Sequence, residues 1–155
     1  MIIAFIGHKT FNSTDIFLDS ARKYIKSLVV KEGADIFLFG SNSRFDDLCY
    51  QIVSDLKQQY PHIRRVYVRA EYEYIDGQYR DYLLTRYEDT IYPPAVHNAG
   101  RRAYIQRNRY MIDKCDKLIV YYDESHKPSH RSSGTALAVR YAIQKKKPYY
   151  NLYEK

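Results

Sequence analysis

Between an apolar run at residues 117–122 and a helix-like run at 136–146, the chain reads Arg131-Ser132-Ser133-Gly134-Thr135. A strand that ends in a small-residue turn and enters a helix aims unpaired backbone N–H groups and the positive end of the helix dipole at one point, where a phosphate can sit. The competing reading is structural, with Ser132 or Ser133 simply capping the helix. A second cluster, Gly7-His8-Lys9, follows the first apolar run. Gly7 permits a tight turn or the close approach of a ligand to the backbone, and His8 and Lys9 add donors and charge beside it. A third, Arg107-Asn108-Arg109-Tyr110-Met111-Ile112-Asp113, sets long donors next to apolar anchors. If Met111, Ile112 and Cys115 face a sheet, Arg107 and Asn108 project toward its rim, where a planar guanidinium grips phosphate or ribose oxygens at two points. The alternative is a solvated basic helix face.

These clusters need elements to position them. Apolar runs recur at residues 2–6, 35–39, 64–68, 117–122 and 147–152, separated mostly by stretches with helical spacing such as 16–30 and 45–60. Gly33 and Pro61 read as the stops of the first two helices. Near-continuous apolar strands joined by helices predict an α/β fold, Rossmann-like and doubly wound, with a mainly parallel five-stranded sheet covered by helices on both faces. The expectation is a single domain over 1–155, with an elaborated Tyr-rich connection at about 70–100 that acts as a lid, a dimer contact or a surface flap. In such a sheet ligands bind beyond the carboxyl ends of the strands, where strand order reverses. Four loops then share one rim: Gly7-His8-Lys9, Gly40-Ser41-Asn42-Ser43, the connection from Arg69, and residues 123–135.

Composition narrows the function classes. A net charge of +7 favours an anionic partner, and eighteen tyrosines without a tryptophan offer stacking area with a polar tip, suited to nucleobases or subunit contacts. The two cysteines, Cys49 and Cys115, fall in helix-like segments with no CxxC pair, which fits a reduced, cytoplasmic protein without a zinc site. The apolar start is too short and lacks the basic leader of a signal peptide, and no segment is long enough to span a membrane. GxGxxG is absent, which argues against an ordinary NAD-dependent dehydrogenase, and Ser132 and Ser133 lie in no GxSxG elbow. His126 and His130 stand in a polar loop, so no metal is expected there.

The three clusters together resemble one family. Ile3-Ala4-Phe5-Ile6-Gly7-His8-Lys9 is similar to its opening strand and GH[RK] turn, and residues 107–113 are similar to its RNRYM[VI]D helix. Ser133-Gly134-Thr135, Val139-Arg140-Tyr141-Ala142 and Lys146-Lys147-Pro148 resemble its GGTxxxVRYAxxxxKP ending. The chain is thereby identified with the YpsA-like branch of the SLOG superfamily, named for the DprA (SMF) and Lonely Guy proteins, with the likeness weakest over 70–101. The resemblance implies a Rossmann-like domain that binds a nucleotide or nucleotide-derived molecule at the rim. It makes Gly7, His8, Arg107, Asn108, Ser133, Gly134 and Thr135 candidate ligand contacts and matches Asp46 to an acidic position after the second-strand turn, while the rim loops themselves add Lys9, Gly40, Ser41 and Ser132 to the candidates. Asp46 either accepts hydrogen bonds from ribose hydroxyls or caps the second helix.

Two departures bear on function. The second-strand turn, Gly40-Ser41-Asn42-Ser43-Arg44, is poorer in glycine than in relatives. Lonely Guy enzymes, which cleave a nucleotide N-glycosidic bond, carry a glutamate in PGGxGTxxE where this chain has Ala138. An oxocarbenium-like step needs a group that stabilises charge or activates water, so the loss disfavours hydrolysis by that route, with Asp46, Asp123 and Glu124 the replacement carboxylates available. The leading expectation is therefore capture of a nucleotide-derived small molecule, for example of the ADP-ribose type, without turnover and without a required cofactor, by a protein able to form a homodimer. The alternatives are a nucleotide N-glycosidase or phosphoribohydrolase and, by likeness to DprA, single-stranded nucleic-acid binding.

Overall fold

The computed structural model describes residues 1–8, 13–40, 43–70, 77–125 and 134–153. Six strands form one sheet: β1 (Ile2–Gly7), β2 (Ile36–Phe39), β3 (Arg64–Val68), β4 (Asp89–Ile91), β5 (Lys117–Tyr121) and β6 (Tyr149–Asn151). Their order across the sheet is β4-β3-β2-β1-β5-β6, and every neighbouring pair is parallel. The α/β, doubly wound expectation holds, with six strands in place of five. The sixth, β4, is a three-residue edge strand inside the connection at 70–100. It carries no continuous apolar run, because an edge strand beside β3 is only half covered.

The helices are α1 (Asp15–Glu32), α2 (Arg44–Gln59), α3 (Gly77–Leu84), α4 (Ala103–Lys114) and α5 (Gly134–Gln144). Side chains alternate along β1 and β2, so Ile3, Phe5, Phe37 and Phe39 pack with α1 and α2, while Ala4, Ile6 and Leu38 pack with α4 and α5. α1 and α4 each meet the sheet with an i, i+4 stripe: Phe17, Ala21 and Ile25 on α1, and Ala103, Arg107 and Met111 on α4. Helix ends follow local chemistry. The Thr14 hydroxyl accepts from the Phe17 N–H, and Gly33 closes α1 in the left-handed conformation at φ 75°. The Ser43 hydroxyl accepts from the Asp46 N–H at 3.0 Å, so Ser43, and not Asp46, caps α2.

The connection after β3 contributes to the core. Leu83 and Tyr87 are buried on the α1 and α2 side, with Tyr87 packed against Tyr50 and Tyr67. Arg65 and Glu88 join β3 to the start of β4 by a fork of two hydrogen bonds at 2.8 and 3.1 Å. Among the described residues no helix is long and apolar enough to cross a membrane. Cys49 and Cys115 are both buried and free, Cys49 within α2 and Cys115 just past the end of α4.

Candidate functional site

Strand order fixes where a ligand crevice opens. From β1 the chain winds outward through β2, β3 and β4, then returns to place β5 on the other side of β1. The reversal lies between β1 and β5, so their carboxyl ends flank the crevice that such sheets use for ligands.

His8 sits at that point. It is 6 % exposed and follows Gly7, the last residue of β1, which pairs with Tyr121 at the end of β5. Its N–H donates to the Tyr121 carbonyl at 3.3 Å, and its Nε2 accepts from the Asp123 N–H at 2.9 Å. The histidine thus ties the two rim loops together, and that acceptor role needs an unprotonated Nε2. Tyr121 and Tyr122 pack edge-on and tilted against the ring, with centroids 6.2 and 5.8 Å away.

The glycines are required by close approach. A Cβ on Gly7 would stand 2.4 Å from the ring of Phe45, itself fully buried. On Gly40, just past β2, a Cβ would lie 2.8 Å from Arg107 Cδ and 2.9 Å from Met111 Sδ. That space lets Arg107 donate from Nη1 to the Gly40 carbonyl, while its Nε donates to Asn108 Oδ1 at 3.3 Å. Arg107 is 6 % exposed, in the α4 stripe between Ala103 and Met111. The solvated-face alternative therefore fails for Arg107 and holds for exposed Arg109. The register that pairs Ala4 with Leu38 brings Gly40 to the level of Ile6, so Gly40, which Arg107 of α4 binds, and His8 follow the ends of adjacent strands. Both belong to the α4 and α5 side of the sheet, as the alternation of Ala4 and Ile6 requires.

α5 starts at the same rim and packs on β5 and β1. Gly134 opens it exposed, Thr135 is 5 % exposed one residue in, and Ala138 is buried. Lys9, Ser41, Ser132 and Ser133, together with His126 and His130, lie outside the described residues. Among the described residues no group of three or more metal-ligating side chains occurs.

The carboxylates divide. Asp46 is buried in the first turn of α2, near enough to Cys49 and Tyr87 that its charge adds to the effect of burial in raising both their pKa values. Glu124 is exposed on the turn after β5. Asp123 is occupied locally, its Oδ1 accepting from the Ser125 hydroxyl at 2.6 Å and the Ser125 N–H at 2.9 Å. Those bonds hold its carboxyl below the ordinary range, the wrong direction for a general acid at neutral pH.

Two rim groups are not among the candidate contacts, although the loop from Arg69 is placed on the rim. Arg69, 8 % exposed directly after β3, has its guanidinium over the rings of Tyr92 and Tyr79, 5.0 and 5.8 Å from their centroids. An arginine abutting a wholly apolar strand end was the available signal. Asn151 brackets the end of β6, its Oδ1 accepting from the Tyr122 N–H and its Nδ2 donating to the Tyr122 carbonyl. Nothing in the sequence marks it.

Chemically, the rim combines a buried guanidinium on a backbone carbonyl, a histidine bridging the crevice, and the start of α5. A comparison with curated protein sequences finds no match. A sequence profile described as the YspA SLOG family matches residues 9–153, nearly the whole chain, and the RNRYM helix and the Gly134-Thr135 start of α5 both lie inside the matched span. The chain belongs to the YpsA-like SLOG family.

Proposed function

We propose that this protein captures a nucleotide-derived small molecule, of the ADP-ribose type, at the carboxyl rim between β1 and β5, and holds it without turnover. The observation that carries the reading is Arg107. A guanidinium 6 % exposed, seated on the Gly40 carbonyl beside the strand-order reversal, is costly to bury and fixes a positive charge at the rim, where an anionic group of a ligand can sit. Family membership supports the ligand class, and the N–H groups at the start of α5 suit a phosphate.

Capture without turnover is supported by the carboxylates. Ala138 stands buried where the hydrolytic relatives carry glutamate, and Asp123 is spent on Ser125. Asp46 supports a second reading, N-glycoside hydrolysis, because a buried carboxylate in the first turn of α2 stands close to the same rim. Thermal unfolding in the presence of AMP, NAD and ADP-ribose separates the possibilities. A ligand at 100 times its Kd raises stability by about 2.7 kcal/mol. Protection by a nucleotide that is recovered intact supports capture. Release of free base that stops in Asp46→Asn supports hydrolysis. Protection only by oligonucleotides, with steep salt dependence, supports nucleic-acid binding.

A further inference from the structure

Tyr104 is 65 % exposed, yet it stands at a defined place. It precedes Arg107 by three positions on α4, which puts it on the same face and about 4.5 Å farther toward the helix start. Helical side chains lean toward the N-terminus, so the ring extends past the rim that Arg107 occupies. The Arg107 guanidinium lies 5.3 Å from its centroid. Arg107 is in turn fixed on the Gly40 carbonyl. An aromatic ring oriented by a seated cation, with most of its surface in water, is a ready platform for a flat heterocycle.

We propose that Tyr104 stacks on the base of the bound nucleotide, while Arg107 beneath it takes an anionic or ribose oxygen, so that Tyr104 selects ligands that carry a base. The proposal rests on the nucleotide-capture reading and adds a specificity determinant to it. Its chemistry sets the ranking of ligands: AMP and ADP-ribose gain from the ring, and ribose 5-phosphate, which lacks the base, does not.

The test measures Kd by calorimetry for AMP, ADP-ribose and ribose 5-phosphate with the wild type, Tyr104→Ala and Tyr104→Phe. Stacking on an aromatic side chain is lost on truncation to alanine at a cost of roughly 5- to 150-fold in affinity. Tyr104→Ala is expected to lose that factor for AMP and ADP-ribose and to leave ribose 5-phosphate unchanged. Tyr104→Phe, which keeps the ring face, is expected to stay within about threefold of the wild type. Thermal unfolding of both variants should match the wild type, as the exposed position requires. Unchanged nucleotide affinity in Tyr104→Ala overturns the stacking role and leaves nucleotide capture standing. Equal losses for all three ligands overturn it too, since Tyr104 would then only hold Arg107 in place. A wild type that binds none of the three overturns both readings together.

Discussion

Replacing Gly40 with alanine tests the link between strand geometry and the site. The added Cβ would lie 2.8 Å from Arg107 Cδ, 3.1 Å from Nε and 2.9 Å from Met111 Sδ. Carbon contacts are comfortable at about 3.5–4.0 Å, so both side chains must retreat by roughly 0.6–1.2 Å. Met111 is 1 % exposed and hemmed in by the core, which leaves Arg107 to move and its bond to the Gly40 carbonyl to distort. Overpacking of this kind costs about 1–3 kcal/mol, offset in part by the roughly 0.4–1 kcal/mol that alanine gains over glycine in the unfolded chain. The stability loss should therefore be modest. Ligand affinity should suffer more, because a charge-assisted hydrogen bond is worth about 1.5–3 kcal/mol, or about 10- to 150-fold in Kd. Chemical denaturation measures the first quantity and calorimetric titration with ADP-ribose the second. Wild-type affinity in a variant that has lost stability would refute the reasoning, since Arg107 would then be a packing residue that the ligand never meets.

Further outcomes follow from other contacts. Gly7→Ala drives a methyl to within 2.4 Å of the fully buried Phe45 ring, which is packed against Phe5 and Tyr121 and cannot retreat; urea unfolding should show a loss of about 1–3 kcal/mol or more. Burial opposes ionisation of Glu88, but the Arg65 hydrogen bonds prevail and hold its carboxyl below the ordinary value. The stability it contributes is therefore full at neutral pH and falls away as pH drops through the carboxylate range, and Glu88→Gln should flatten the acid limb of a stability-versus-pH curve between about pH 5 and 3. Burial pushes the Cys115 thiol up to about 12 and the Cys49 thiol well above its ordinary value, so neither should react with iodoacetamide at pH 8 in the native protein, and both should after denaturation.

The parts of the fold legible in the sequence are those whose residues face the core on both sides. Residues 3–6 and 118–120 are buried between two helix layers, so their apolar runs announce parallel strands. β4 was not legible because Asp89-Thr90-Ile91 joins the sheet at its edge, recruited by the Arg65–Glu88 fork and not by its own pattern. At the site, Gly7, His8 and Gly40 could be anticipated from their place after apolar runs. The burial of Arg107 could not, because it depends on the space that Gly40 leaves on a strand far away in sequence. Asp46 illustrates the same limit: residue type allowed either a cap or a ligand contact, and the nearby Ser43 hydroxyl took the capping role. Arg69 needed tertiary partners, Tyr79 and Tyr92, to become a buried rim cation.

Capture of an intact nucleotide-derived ligand is read out by a mass-spectrometric recovery experiment. The pure protein is incubated with AMP, NAD and ADP-ribose, freed of unbound ligand, denatured, and the released small molecules are identified. One intact nucleotide in stoichiometric amount is expected from the wild type, and far less from Arg107→Ala. Recovery of free base with ribose phosphate would contradict capture without turnover, and recovery of nothing would contradict the nucleotide site itself.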